Sequence, residues 1–464
     1  MGGLTTARRS VDALSPSMFM LFFFFQEFFL TYIYAISTHS WKNGTTLTFI
    51  LSVRDIHLAF LATLFYVAFW FVGYALPVPA GRGRPLLSDT GKRASPFWMF
   101  SYFLAPVTFF VLAWFANPNR HFAYRMELTQ GFWGKILFIA IFFMFGAFLL
   151  SGSRLLMGRQ SIRAAGNLML VLLMATVIMA VLLPLGGRGR AVIALLYMVV
   201  MWHYFVKPLS IVTFWGIVAL GTALTIIAGY PAALIRHPDA SLLEVAFGTK
   251  YVREIDTLYN LANAMKGIEL GFSHFNYGTA FLADVAGDLG IRLPYLDSRQ
   301  IFMTQSMQMP AYLAGMPLSR PGEFYLAGGW LAIAIGGIVL GYLSKIFYLH
   351  VIKRQMFGSA SVAVYITFMM WSGISTPDRY FFNNLVQSVF GCVCIIFLAV
   401  TLYGYRLRST PDSYRSPVRA RSRDRQVSTG SDGGSGGRRR MTAVGGYRPA
   451  RVAGMTATHR GNRR

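Results

Sequence analysis

The sequence predicts an all-α protein, a polytopic integral membrane helix bundle with about ten spans and one large, partly helical external loop. Of its 464 residues, 55% are hydrophobic and 13% are charged, whereas roughly 25% of the residues of a soluble domain are charged. The mean hydropathy is +0.49. The apolar residues fall in blocks of roughly 20, the length of a helix that crosses a bilayer. These observations exclude an ordinary soluble enzyme.

The number of apolar blocks and the distribution of basic residues predict the topology. Ten spans place both termini on one side of the membrane. On that side, without the C-terminal tail, the chain has 13 Lys and Arg, and the short loops opposite have 8. Because basic residues favour cytoplasmic loops, we expect both termini in the cytoplasm. The spans lie near 17–37, 57–76, 97–115, 132–151, 165–186, 191–207, 209–230, 324–346, 359–376 and 384–405.

Composition divides the chain into four parts. Residues 1–230 hold about seven spans, 231–323 form the external loop, and 324–405 hold about three more spans. Residues 406–464 are rich in Gly, Ser and Arg. Such a segment buries too little apolar surface to fold, so we expect a disordered cytoplasmic tail.

The long loop is the expected place for chemistry, because loops of this length are usually functional. Apolar periodicity predicts helices over 251–270 and 279–290, separated by the glycine-bounded turn GFSHFNYG. The chain has no metal-binding motif, no phosphate-binding loop and no serine-hydrolase elbow. Its two cysteines, Cys392 and Cys394, lie in an apolar run. We therefore expect neither a metal site nor another cofactor.

Arginines and carboxylates gather at the predicted external face. A guanidinium group keeps its charge and binds phosphate oxygens in pairs, so these arginines suit a diphosphate ligand. A carboxylate among them can accept the proton of an attacking hydroxyl. Lipid contacts, ion pairs and, for Glu323, capping of a helix are the structural interpretations of the same residues. The candidates are Arg188, Arg190, Arg253, Asp256, Arg292, Arg299, Arg320 and Glu323.

Few polar residues lie inside the predicted spans. Glu27 has two interpretations, a functional carboxylate or a partner of an arginine on a neighbouring helix. His203 is either functional or an interfacial residue beside Trp202 and Tyr204. No series of acidic residues crosses several spans, which argues against a proton- or sodium-coupled transporter.

Three segments resemble one known family, the bacterial oligosaccharide repeat-unit polymerases of the O-antigen polymerase (Wzy) type. RGRAVIALLY (188–197) is similar to an element that opens a mid-chain span in these polymerases and in O-antigen ligases. The segment from REIDTLYN to GIRLP (253–294) resembles the external loop of the polymerases. SRPGEFYLAGGWLAIAIGGIVLGYL (319–343) resembles the G-E-x-Y-x-x-x-G start of a late span. The resemblance covers about 188–345.

This resemblance implies a bundle similar to the GT-C glycosyltransferases, located in the bacterial inner membrane. It also implies polymerisation of undecaprenyl-diphosphate-linked repeat units into an O-antigen, capsule or exopolysaccharide on the outer face. Partners would be the lipid-linked oligosaccharide and membrane lipid, with a chain-length regulator and a flippase as further candidates and no nucleic acid. Arg190 and Arg253 would hold the diphosphate and Glu323 would act as the base. The implied substrate-binding residues are Arg188, Asp256, Arg292, Arg299 and Arg320.

Two other functions remain open at this stage. An O-antigen ligase shares the RGRA element and uses an external-loop histidine, for which His237 and His274 are available. A flippase or exporter without chemistry is the second alternative. Transporters typically contain internal repeats, broken helices and charged groups near the membrane midplane. The sequence gives little sign of these features and concentrates its charge in one loop.

Overall fold

A computed structural model describes residues 12–38, 51–79, 85–89, 95–117, 131–157, 163–182, 188–214, 216, 217, 220, 250–288, 291, 293–306, 318–372 and 382–407. The chain forms two units, Met1–Arg408 and Ser409–Arg464. The second unit holds almost all of the predicted tail and lies outside the described residues.

The described part of the chain is predominantly helical. Its helices are α1 (Pro16–Phe24), α2 (Leu30–Thr38), α3 (Val53–Ala75), α4 (Pro96–Ala116), α5 (Gly131–Leu156), α6 (Arg163–Leu182), α7 (Arg188–Phe205), α8 (Lys250–Glu269), α9 (Thr279–Asp288), α10 (Ser298–Ile301), α11 (Arg320–Tyr348), α12 (Ser361–Ser372) and α13 (Phe382–Thr401). Turns of π-helix occupy Phe25–Phe29, Phe302–Ser306 and Leu349–Lys353, and a 3-10 turn occupies Gly358–Ala360.

The apolar helices are compatible with an all-α membrane protein. Among the described residues, four helices are long and apolar enough to cross a bilayer: Val53–Ala75, Pro96–Ala116, Ile136–Leu156 and Arg320–Lys353. Shorter apolar helices occupy Gly166–Leu182, Ala194–Phe205, Gly358–Met370 and Leu385–Thr401. The count of ten spans stays a prediction, and most of the predicted span 209–230 lies outside the described residues.

Glycines bring α3 and α11 into backbone contact. A Cβ atom added at Gly341 would lie 2.0 Å from the Trp70 carbonyl oxygen, and one at Gly73 would lie 2.0 Å from the Ile338 carbonyl oxygen. Gly337 meets α3 in the same way and stands four residues before Gly341, which gives the small-xxx-small spacing common where membrane helices pack closely. The two helices therefore form a tight pair that supports the rest of the bundle.

The helix α11 is broken near its start. Gly328 and Gly329 leave helical geometry, and Gly329 has a φ of 65°, in the left-handed region that favours glycine. The Phe324 ring lies where a side chain on Gly336 would stand. In a straight helix twelve residues span about 18 Å, so Arg320–Ala327 must fold back along the following helix. The predicted span 324–346 is thus wrong at its start, because the paired glycines reverse the chain there.

The long loop contributes helices to the bundle itself. The predicted helices 251–270 and 279–290 are confirmed as α8 and α9, and the glycine-bounded turn joins them. The turn reaches the break in α11, where the Asn276 N–H donates to the Leu326 carbonyl at 3.0 Å. Packing of α8 against α2, α3 and α11 places part of it in the main apolar core. The loop is therefore integrated with the helices on either side of it.

The two ends of α3 define two ends of the bundle. We call the end with Asp55 and the C-terminal turn of α8 the loop-side end, and the end with Ala75 the far end. At the far end, strands β1 (Leu87–Asp89) and β2 (Tyr405–Leu407) pair antiparallel. This small sheet departs from the predicted all-α fold, and β2 crosses the predicted boundary at residue 406.

Candidate functional site

Five of the predicted site residues are placed by their backbone alone. Arg188 and Arg190 lie in the first turn of α7, Arg253 and Asp256 lie in the first two turns of α8, and Arg299 lies in α10. Their side chains lie outside the described part of the structure, as does all of Arg292. The diphosphate contacts expected of these six residues remain predictions.

Arg320 and Glu323 are brought together in the protein interior. Their exposed fractions are 0% and 1%. The charges of both groups interact with the hydroxyl group of Tyr66, which is about halfway along α3. The reversal at Gly328–Gly329 explains this depth, because it turns the first segment of α11 back into the bundle. Burial of a guanidinium group and a carboxylate in an apolar bundle is costly and marks a functional candidate.

The cap of α11 is Ser319 and not Glu323. The Ser319 hydroxyl accepts from the Gly322 N–H at 3.3 Å, and Pro321 occupies the first turn. Serine and proline at these positions are typical of a helix start. The carboxylate of Glu323 is therefore not required as the capping group, although its charge suits the positive end of the helix dipole.

One side of the buried helix α8 is polar. Thr257, Asn260 and Asn263 recur every three residues, which places them on one side of the helix. Each is at most 4% exposed. Within the described residues, neither the amide nitrogen nor the amide oxygen of Asn263 has a hydrogen-bond partner. Arg253 precedes Thr257 by about one helical turn. The helix α8 thus carries a polar layer of three buried side chains inside an apolar bundle.

A cavity of about 160 Å³ opens between the start of α3, the end of α8 and the break in α11. Two cations and two carboxylates line it together with two aromatic side chains: Arg54, Asp55, Lys266, Glu269, Tyr325 and Trp330. The Lys266 ammonium group lies 3.1 Å from Glu269 and 3.7 Å from Asp55. The hydrogen bond to Glu269 raises the pKa of Lys266, against the opposing effect of burial.

Sequence reasoning missed this cavity, although two local signals were present. Ser52 and Asp55 form a capping box at the start of α3, a spacing visible in the sequence. Lys266 and Glu269 stand three residues apart, as ion pairs on a helix do. Neither signal shows that the two helix ends meet.

A second buried polar cluster lies at the far end. Asp12 is 3.0 Å from the Nε2 atom of His203 and also accepts hydrogen bonds from Tyr204 and Tyr348. Burial raises the pKa of Asp12, but hydrogen bonds from His203 and Tyr348 lower it further, to about 2. His203 is therefore a buried partner of Asp12 and packs against Tyr204, and its position at the membrane interface stays a prediction. The side chain of Glu27 lies outside the described residues.

Comparisons with known proteins do not identify the chain. No protein-family model, no curated protein and no solved structure matches it. The choice among functions therefore depends on the residues and on the geometry above.

Proposed function

We propose that this protein polymerises polyprenyl-diphosphate-linked oligosaccharide repeat units into a surface polysaccharide. The observation that supports the proposal most is the burial of Arg320 and Glu323 inside the apolar bundle, in the first turn of α11. Polar groups on a broken helix such as α11 are well placed to bind a substrate within the membrane.

Arg320 is the first proposed diphosphate-binding residue. It occupies the first turn of α11, where the helix dipole also favours an anion. Its guanidinium group would stabilise the charge that develops on the departing diphosphate. Arg190 and Arg253 join it in the proposal, and further substrate contacts come from Arg188, Asp256, Arg292 and Arg299. Because Arg320 is fully buried, the substrate reaches it only when the surrounding helices move.

The reaction is a glycosyl transfer between two lipid-linked saccharides. A hydroxyl group of the acceptor attacks the anomeric carbon of the donor, and a new glycosidic bond forms as the bond to the diphosphate breaks. The diphosphate leaves with the electron pair, and the hydroxyl proton passes to Glu323. The proposed frame is a GT-C-like bundle of about ten spans in the bacterial inner membrane, with cytoplasmic termini and the loop on the outer face.

Contacts at the far end support the proposed topology. The Lys345 ammonium group donates to the Leu76 carbonyl at 2.6 Å, and Ser151 donates to the Met99 carbonyl at 2.9 Å. In the ten-span topology these four residues all stand at cytoplasmic span ends. Lys353 and Arg354 also lie at this end, as the preference of basic residues for the cytoplasmic side predicts.

One observation favours a second candidate function. The sequence showed little sign of broken helices or of charged groups within the spans, but the structure has both, in the break in α11 and in the buried Arg320 and Glu323. Both features are common in transporters. Export of the same lipid-linked saccharide, without bond formation, would use the same polar layer. The two functions differ in what accumulates outside the cell.

The test is the size distribution of lipid-linked and surface glycan in a strain without this gene. Single repeats on the outer face support the polymerase. Long chains that stay on the lipid carrier indicate a ligase, and the absence of external repeats indicates an exporter. Complementation with Arg320→Ala should lower polymer to about 1% or less, because loss of one transition-state stabiliser costs about 100-fold or more.

Matched variants separate this effect from misfolding. Arg320→Lys keeps a positive charge and should restore part of the polymer. Arg354→Ala removes a far-end arginine that bonds His350 at 2.8 Å, and should leave the polymer unchanged. All three proteins are quantified in the membrane fraction. Normal polymer from a well-expressed Arg320→Ala variant would remove Arg320 from the site.

A further inference from the structure

The cavity at the break in α11 has the chemistry of a saccharide site. We propose that the cavity between Arg54, Lys266, Glu269, Tyr325 and Trp330 binds one neutral sugar residue of the substrate. This inference rests on the proposed function for its place in the reaction. The binding itself can be measured without any polymerisation.

Charge separates this cavity from a diphosphate site. Two cations, Arg54 and Lys266, are balanced by two carboxylates, Asp55 and Glu269, so the lining has no net formal charge. A diphosphate would meet both carboxylates, and like charges repel. A neutral hydroxyl group, in contrast, both donates and accepts hydrogen bonds. It can donate to the carboxylates and accept from the ammonium and guanidinium groups.

Aromatic side chains supply the apolar part of the lining. Tyr325 and Trp330 flank the break at Gly328–Gly329, with ring centroids 6.3 Å apart. Trp330 is held in place by Phe65, whose ring meets it edge to face at 5.4 Å. The flat rings can cover the carbon-bound hydrogens of a sugar ring, while charged groups bind its hydroxyls. An aromatic wall beside a few polar groups is the usual composition of a small-ligand pocket.

The volume suits a ligand larger than water. The cavity measures about 160 Å³, against the ~15 Å³ that one water molecule needs by this measure. This space is about tenfold more than one water requires, and it is open at the loop-side end. One ring of a longer saccharide can enter it while the rest of the chain extends outward.

The position of the cavity fits the order of groups in the substrate. Tyr325 is five residues after Arg320, about 7.5 Å along the helix at 1.5 Å per residue. Arg320 is fully buried, whereas Trp330 lines the open cavity. A lipid tail in the membrane, a diphosphate near Arg320 and a sugar near Trp330 then follow each other outward. A separation of five residues also places Arg320 and Tyr325 about 140° apart around the helix axis. Variants of the cavity residues can therefore leave Arg320 undisturbed.

The experiment measures binding of methyl glycosides to the full-length protein in detergent micelles by saturation-transfer NMR. The probes are the methyl α-glycosides of glucose, galactose and mannose. We expect saturation transfer to at least one of them. In Trp330→Leu we expect this signal to fall about tenfold, because an aromatic face contributes much of the binding of a sugar ring. Glu269→Gln should weaken the same probe, since it removes a charged acceptor.

The matched control is Trp98→Leu, which removes a tryptophan that is 54% exposed at the start of α4. This variant should keep the full signal. Each variant's unfolding temperature is measured, and Glu269→Gln, on a side chain 56% exposed, tests the site even if Trp330→Leu is destabilised. Equal signals from wild type and both cavity variants would overturn the proposal. Displacement of the glycoside by inorganic pyrophosphate would also overturn it.

Failure of this inference differs from failure of the proposed function. If glycosides bind at Trp330 but the gene-deletion strain still makes full-length polymer, the cavity proposal holds and the polymerase proposal fails. If single repeats accumulate in that strain but the cavity variants bind glycosides normally, the polymerase proposal holds and the cavity proposal fails.

Discussion

Two buried polar residues at opposite ends of the bundle, Asp12 and Asn263, differ in their hydrogen bonding. At the far end, Asp12 has partners on several sides, including His203 and Tyr348, and the ammonium group of Lys353 lies 3.9 Å away. At the loop-side end, Asn263 is fully buried, and within the described structure neither of its amide atoms has a hydrogen-bond partner. Both groups lie in an apolar environment, and only the first is satisfied.

This difference separates structural from functional polarity. Buried polar groups in folded proteins are nearly always hydrogen-bonded, and a satisfied network fixes the fold. A group left without a partner costs stability and needs an explanation, of which a ligand-binding role is one. We therefore expect the cluster around Asp12 to stabilise the protein, and we propose that Asn263 of α8 contacts the substrate.

The largest expected effect tests the helix pair that connects both ends. Gly341→Ala places a methyl group against the Trp70 carbonyl, a backbone atom that cannot yield without moving α3. We expect the free energy of unfolding to fall by about 2–3 kcal/mol, the usual effect of overpacking, and both ends to loosen together. Thermal unfolding in detergent measures the change.

The control for this variant is Gly166→Ala. No atom lies within 4 Å of the added methyl group at Gly166 in α6. Alanine is a better helix former than glycine, so the variant should gain about 0.5–1 kcal/mol. Equal stability of the two variants would show that the glycine contacts do not hold α3 and α11 together.

The second prediction concerns the far end alone. Asp12 has an ordinary pKa of 3.8 that falls to about 2 in the folded protein. A lowered folded-state pKa gives stability that is present above about pH 4 and is lost as the pH falls towards 2. The shift corresponds to about 2 kcal/mol. We expect Asp12→Asn to lose about that amount at pH 7 and to lose the pH dependence over this window.

Polymer length should not change in Asp12→Asn if the far end is structural. Unfolding between pH 2 and 7 and the glycan size distribution are the two measurements. Loss of polymer with unchanged stability would reverse the assignment of roles to the two ends.

The smallest expected effect is the most diagnostic. Asn263→Leu replaces an amide without a partner by an apolar group of similar size, so we expect the free energy of unfolding to rise by about 1 kcal/mol or less. We also expect less polymer, because the layer loses a group that would contact the substrate. A stability gain with a loss of function is the signature of a binding group.

Asn167→Leu provides the matched control. Asn167 is also buried, but its amide nitrogen donates to the Leu155 carbonyl at 2.7 Å. Its replacement should lower stability by about 1–3 kcal/mol, since the carbonyl loses its partner. If Asn263→Leu is as destabilising as Asn167→Leu, the contrast between the two ends fails.

Local signals in the sequence were sufficient for many of the helices. Apolar blocks located α3, α4 and α5, and periodicity located α8 and α9 together with the turn between them. Arg320 and Glu323 were identified as candidates from their position before a predicted span. These features depend on residues within a few helical turns, which is why the sequence shows them directly.

Contacts between distant segments were not predictable in this way. The pairing of Asp12 with His203, the pairing of β1 with β2 and the meeting of Asp55 with Lys266 each join residues far apart in the chain. The pair Gly328–Gly329 is visible in the sequence. Glycine permits a reversal without requiring one, and only the packing of Phe324 against Gly336 indicates that the chain turns back.

The sequence by itself predicted a helical membrane protein with a long loop that contains several arginines. Hydrophobicity and helix periodicity are properties of short segments, so the sequence shows them directly. Tertiary structure decided which polar groups meet. It buried Arg320 and Glu323 in the bundle, left Asn263 without a partner within the described residues, and opened a charge-balanced cavity beside Trp330. The physical reason is that burial and pairing depend on how helices pack, which no local pattern specifies.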